Sequence, residues 1–328
     1  RQYHGAGCVL DDLRAGDRAT PRDVALAADP FCQRHIGRRI GRAERSDHVV
    51  QTRSAPDAPA ENFGVLRLRS TVGSGADVGI MLVNRQVTES GAGTIYSRAG
   101  GIDANLRLFD YMLVNAYAAA TDAPDATGDR RSAYLQIAWR DRLWNTSAFV
   151  KHVGDGFDPA AGFIRRRAMR QAFATLGAHP QPRIRGVAEV NPYVDASAIE
   201  DLQGRLETRW VEGGFAIGFL DGGSLTLSHQ DRFERLAEPT AIAGATVQPG
   251  DYRFGETGIQ YQSSGARLLA ATGSITVGDF YDGRRTSFGL RASVRPSVHL
   301  GIEALAQYND LRLGGREFQA SIFGGRIR

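Results

Sequence analysis

From residue 63 to the end of the chain, apolar and polar residues alternate with a period of two in short runs. That period predicts strands near 63–72, 77–86, 100–108, 112–121, 131–140, 143–152, 163–176 and 183–195. It continues near 205–220, 224–235, 251–262, 266–278, 284–294, 298–308 and 316–327. Little in this stretch has the 3.6-residue spacing of an amphipathic helix. The stretch AYLQIAWRDRLWNTSAFVK (133–151) shows the pattern well. With Asp141-Arg142 as a turn, Ala133, Leu135, Ile137 and Trp139 share a face with Trp144, Thr146, Ala148 and Val150. The opposite face carries Tyr134, Gln136, Ala138 and Arg140 with Leu143, Asn145, Ser147, Phe149 and Lys151.

A hairpin with one apolar and one polar face has two readings. In a soluble sandwich the apolar face looks into a core and the polar face looks at water. In a membrane barrel the apolar face meets lipid, tryptophans sit at the interface, and the polar face lines the lumen. Two further hairpins repeat the pattern. Around Arg295-Pro296-Ser297, Phe288, Leu290, Ala292 and Val294 face Ala304, Ile302, Leu300 and Val298, with Arg291, Ser293, His299 and Glu303 on the other side. Around Asp221-Gly222-Gly223, Phe215, Ile217 and Phe219 lie opposite His229, Leu227 and Leu225.

The connections separate the readings. Short turns are expected at 73–76, 109–111, 141–142, 221–223, 263–265 and 295–297. Longer loops are expected at 87–99, 122–130, 153–162, 196–204, 236–250 and 309–315, with 279–283 the weakest of that set. Short and long connections that alternate are the habit of up-and-down outer-membrane barrels, and a Greek-key sandwich has no reason for it. The expected fold is therefore all-β, an up-and-down antiparallel transmembrane barrel of about 15–16 strands over residues 63–328. The odd count of about fifteen strands suggests a truncated barrel, because bacterial single-chain barrels normally have an even number.

Residues 1–62 form a second region, rich in arginine, aspartate and alanine and without strand periodicity; an irregular segment is expected there, with QTRSAPDAPAEN (51–62) as a loop or linker. Cys8 and Cys32 form no CxxC motif, and His4, His35 and His48 beside them match no compact zinc spacing. The chain begins at Arg1 without a signal-peptide pattern.

The 328 residues are 42% hydrophobic, yet no apolar run reaches the length of a membrane-spanning helix. A formal charge of +4 comes almost wholly from dispersed arginines, which excludes a basic nucleic-acid-binding stripe. GxSxG, HExxH and P-loop patterns are absent, and no catalytic pair, metal or cofactor is called for.

The segments FGVLRLRSTVGSGADVGIMLVNRQ, GIDANLRLF, VGDGFDPAAGFIRR, RLETRW, FERLAEPTAIAGATVQPGDYRF, GDFYDGRRTSFGL and YNDLRL follow one another in this order. Taken together they resemble the C-terminal outer-membrane barrel of unknown function that follows a family-9 carbohydrate-binding-like domain in Gram-negative bacteria. The resemblance covers about residues 49–327. It implies an exported barrel in the outer membrane, in contact with outer-membrane lipid. Relatives sometimes carry a carbohydrate-binding or hydrolase label from the N-terminal domain, which is not expected within these 328 residues, and they continue with further strands after the YNDLRL region.

Two loops carry candidate chemistry. Asp155, Asp158, Arg165, Arg166 and Arg167 could gate a lumen toward anionic solutes, or simply shape an ordered loop. Asp279, Asp282, Arg284 and Arg285, with nearby aromatics, could hold a sugar, or form a plain Asp-Gly connection. On the walls, Arg140, Lys151, Arg291 and Glu303 are lumen candidates, together with Tyr134, Gln136, Asn145 and His299. The functional expectation is passage or surface binding of a small hydrophilic solute. The alternative is a secreted carbohydrate-binding or hydrolase-associated β-rich protein.

Overall fold

The structure is a computed structural model that describes residues 38–40, 43–51, 60–73, 75–88, 95–160, 162–242, 245–297 and 299–327. Cys8, Cys32, His4, His35 and most of the expected 51–62 linker lie outside the described residues. In chain order the strands are β1 (Arg38–Ile40), β2 (Ala43–Gln51), β3 (Glu61–Val72), β4 (Ala76–Val87), β5 (Tyr96–Leu108), β6 (Met112–Asp122), β7 (Arg131–Arg140), β8 (Trp144–Val153), β9 (Met169–Ala178) and β10 (Val187–Glu200). They continue as β11 (Leu206–Phe219), β12 (Ser224–Leu236), β13 (Thr240–Ile242), β14 (Ala245–Val247), β15 (Gly250–Gln262), β16 (Leu269–Phe280), β17 (Gly283–Ser297), β18 (Leu300–Leu313) and β19 (Arg316–Ile327). Seventeen of them belong to one up-and-down antiparallel sheet, while β13 and β14 pair as a separate ribbon. No helix occurs among the described residues. This is the connectivity of an up-and-down β-barrel wall, the class the sequence predicts.

The chain divides into two compact units. The first draws on residues up to Ala104, Tyr117–Ser132 and Gly154–Arg167. Within it β2, β3 and β4 pair in sequence, with Leu66 opposite Leu82 and Leu68 opposite Ile80 on one face. Leu68, Ile80 and Leu82 are exposed and Leu66 is partly so. The other face carries Arg67 and Arg85, paired with Asp103 and Glu61.

The second unit comprises Asn105–Ala116, Ala133–Val153 and Ala168–Arg328. Here β8 to β12 and then β15 to β19 pair antiparallel, each with the next. The registers put Phe215, Leu227, Ile259, Ile275, Phe288 and Tyr308 in one lateral row on one face. Side chains on this apolar face stand open, with Ile259 at 49% and Leu290 at 53% exposed. Glu212, Gln230 and Glu256, on the other face, are more shielded. The usual polarity of a soluble sheet is reversed.

Several expectations shift. Residues 38–40 and 43–51 are strands, within the stretch expected to be irregular. The β2 run AERSDHVVQ has too few apolar residues to show a period, and pairing along β3 fixes its strand form. The loop expected at 309–315 is a tight turn at Gly314-Gly315, both with positive φ (57° and 71°), because β18 runs on to Leu313. The connection at 279–283 reduces to Tyr281-Asp282. The alternation of short and long connections holds through 154–168, is broken where 179–186 is longer than 201–205, returns at 220–223 and 237–249, and lapses at these last two. The strand expected from 163 starts at Met169, which leaves Arg165, Arg166 and Arg167 in the loop. His299 sits in the turn before β18, not on a strand.

Registers also slide. Phe215 pairs with Leu227 rather than His229, and Phe288 with Tyr308 rather than Ala304. Both slips are even in number, so the paired side chains of these strands keep their expected faces. The larger slip follows from β17 continuing to Ser297 through an irregularity after Val294.

Candidate functional site

The polar face of the second unit is organised in lateral rows, one residue per strand. One row runs Phe149, Phe173, Ser197, Trp210, Arg232 and Phe254 across β8 to β12 and β15. Its rings form a continuous series with Tyr134 of β7. Ring centroids lie 5.4 Å apart for Tyr134–Phe149, 5.2 Å for Phe149–Phe173 and 6.0 Å for Phe173–Trp210. Aromatic pairs at such spacings attract one another beyond simple burial. All four rings remain partly exposed.

The next row is two residues along each strand, roughly 6.6–6.8 Å away. It reads Thr175, Asp195, Glu212, Gln230 and Glu256. Glu212 accepts from Tyr193 Oη (2.8 Å) and Gln230 Nε2 (3.1 Å), and Gln230 in turn accepts from Arg232 (2.9 Å). Arg285 donates to Glu256 Oε2 at 2.5 Å. Asp195 Oδ1 and Glu256 Oε1 are buried and accept no hydrogen bond among the described residues. Carboxylate oxygens left in this way are costly unless a solute or water supplies a donor. The row on the opposite side of the rings carries Lys151, Gln171, Thr208 and Glu234, the last within 3.7 Å of Arg232.

The long connection 237–249 adds a structural element that the sequence reading treated as plain loop. The β13–β14 ribbon buries Ala245 and Val247 (1% exposed for Val247) against Leu311 and Leu313. Leu236, Tyr252, Phe280 and Phe318 pack around this small core. Leu311 and Tyr252 belong to the polar face by register, opposite Arg285 and Glu234 respectively. The ribbon is therefore folded onto the polar face and held there by an apolar clasp. Tyr252 Oη donates to the Gln248 carbonyl at 2.8 Å and ties the returning chain to the wall. The cue in the sequence was the run AIAGATV, whose apolar residues suit a buried ribbon better than an exposed loop.

The residues singled out from sequence fall in different places. Tyr134 and Lys151 lie on the polar face beside the rings. Gln136 is hydrogen-bonded to Asn115 (3.2 Å), and Asn145 lies opposite Gly177. Arg140 ends β7 at a turn, where its backbone N–H bonds the Tyr111 carbonyl (2.9 Å). Arg291 and Glu303 share the polar face, opposite Thr272 and Ser293 respectively. Arg284 stands on the other face, 3.6 Å from Asp279, and Arg285 takes the polar position instead. Asp282 accepts from Gly314 N–H at 3.3 Å as part of a turn. In the first unit, Asp158 accepts from Arg167 (2.6 Å) and Arg165 is exposed. Asp155 caps the Asp129 N–H (2.7 Å). The residues missed by the sequence reading are Phe149 and Phe173 as a pair, Trp210, Asp195, Glu212 and Glu256, while Arg285 is singled out there only as part of the 279–285 connection. Their common row depends on register, which the sequence does not display.

No family model matches the chain, and no curated protein matches it. Solved structures similar to it are outer-membrane proteins of low identity. OpdK of Pseudomonas aeruginosa is 10% identical with a TM-score of 0.45, over 87% of this chain and 97% of that one. OccD3 (OpdP) of the same organism is 12% identical with a TM-score of 0.45, over 87% and 85%. A BenF-like porin from Pseudomonas fluorescens Pf-5 is 8% identical with a TM-score of 0.45, over 87% and 97%.

Proposed function

We propose that the chain is an outer-membrane β-barrel protein of a Gram-negative bacterium that passes small hydrophilic solutes along its polar face. One observation carries this reading. Across successive strands of the second unit Ile259, Ile275, Phe288 and Leu290 stand exposed on one face, while Glu212, Gln230, Glu256 and Glu303 on the other are more shielded. In water, such a continuous apolar face would be an association hazard. In a bilayer it is the lipid-facing surface, and hydrogen bonding to the neighbouring strand satisfies the backbone. Phe109, Tyr111, Trp139 and Trp144 at the 109–111 and 141–143 turns make the aromatic girdle of one interface. A secreted sheet bathed in water on both faces gives Leu290 and Ile259 no partner, so the membrane reading is preferred.

On this reading the β13–β14 ribbon narrows the route past the polar face, and Lys151, Arg291 and Glu303 line it. The motif series that resembles the barrel behind a family-9 carbohydrate-binding-like domain is consistent with this proposal and adds no ligand to it. The test is folding of the full chain from urea, followed by circular dichroism and unheated gel migration. Strand signal and heat-modifiable migration are expected only with detergent or lipid, together with conductance in planar bilayers. A monodisperse, soluble β protein without detergent overturns the proposal.

A further inference from the structure

We propose that the ring series Tyr134–Phe149–Phe173–Trp210 is a binding track for neutral sugars, which lie across the polar face during passage; this rests on the solute-passage reading above. Aromatic side chains on the polar face are not explained by lipid contact or by a core, because they share that face with Lys151, Gln171 and Glu212 and remain partly open. Their centroid spacings of 5.2–6.0 Å form an unbroken lateral path across five strands. A pyranose offers an apolar face of C–H groups to stack on a ring and hydroxyl groups around its edge. The edge groups find acceptors one row away in the carboxylates of Asp195 and Glu212, whose side chains are only partly buried. They find donors on the other side in Lys151 and Gln171.

Charge selects a neutral solute. Arg232 is offset by Glu234 (3.7 Å) and Arg285 by Glu256 (2.5 Å), so the rings are not backed by a free guanidinium cluster that would attract anions. Asp195 and Glu212 along the row further disfavour an aromatic carboxylate. Lys151, one step from Phe149 on β8, disfavours an organic cation at the opposite end.

The full chain in planar bilayers tests the inference with maltotriose, benzoate and tetraethylammonium as probes. Maltotriose is expected to block the open channel saturably, while the two ions at equal concentration do not. Trp210→Ala and Phe173→Ala should each raise the half-blocking concentration at least about tenfold, with open conductance in salt retained. Phe173→Tyr, which keeps a ring, should restore the block. Normal conductance without maltotriose block overturns the inference, as does a block unchanged by these substitutions or one led by either ion. Failure of the wild-type chain to conduct at all overturns the passage reading, and this inference with it. A second readout avoids variants of the track. In the chain with Trp139→Phe and Trp144→Phe, folded in detergent, Trp210 emission should shift saturably with maltotriose, and an unchanged spectrum contradicts the inference.

Discussion

At the scale of single residues, Asp141 shows how a turn is locked. Its carboxylate accepts from the backbone N–H groups of Trp144 and Leu143 (2.7 Å each) and from the Trp139 indole (2.7 Å). The Trp144 bond, then the Trp139 and Leu143 bonds, hold its pKa below the usual carboxylate value. Asp201 plays the same part at the 201–205 turn, where the Arg205 backbone N–H leads in lowering its pKa. A carboxylate whose folded pKa is depressed stabilises the fold above the unfolded value of about 4, and the benefit is lost as pH falls through the folded value. Asp141→Asn is expected to lower the urea midpoint of the detergent-folded protein at pH 7, and the deficit should shrink at about pH 3. A deficit that stays constant between the two pH values contradicts this role. Val247 is the second telling residue. An aspartate there puts a charge into an apolar clasp without a partner, which costs several kcal/mol in typical interiors. Val247→Asp should release the ribbon and raise single-channel conductance while heat-modifiable migration persists; unchanged conductance and current noise would place the ribbon off the solute route.

Elements show what could be read in advance and what could not. All fifteen strands expected from residue 63 onward are present, and Arg131–Arg140 and Arg316–Ile327 match their expected limits. The period of two also assigned faces correctly, although Phe288 and Phe215 pair with partners shifted by an even number of positions. Faces survive such slips because side chains repeat every second residue. Lateral rows do not survive them. The meeting of Phe173, Ser197 and Trp210 depends on three registers, and each of those depends on turn lengths the sequence leaves loose. Arg284 and Arg285 show the same limit at its smallest, since which one faces the solute side depends on a single residue of phase. The face assignment makes a direct prediction. Leu290→Arg should destabilise the lipid-folded protein by about 2–4 kcal/mol if it lies near the bilayer midplane. Ser293→Arg, on the polar face, should be tolerated. Equal losses in urea titrations from liposomes would contradict the assignment.

For the whole molecule, the account comes down to which face meets lipid. The three tryptophans are placed to answer it: Trp139 and Trp144 lie on the apolar side at one turn, and Trp210 lies in the ring series on the polar face. Their environments should differ only if the sheet is a membrane wall. The same division decides whether the shielded carboxylates and amides line a route for solute or pack against a second layer. The most direct measurement is fluorescence quenching by lipids brominated on the acyl chain, after folding into liposomes. Two variants are compared, one retaining Trp139 and Trp144 with Trp210→Phe, the other retaining Trp210 alone. The account predicts strong quenching by brominated lipid in the first and little in the second, with aqueous acrylamide reaching Trp210. Quenching of Trp210 by the acyl bromines, with Trp139 and Trp144 spared, would contradict it.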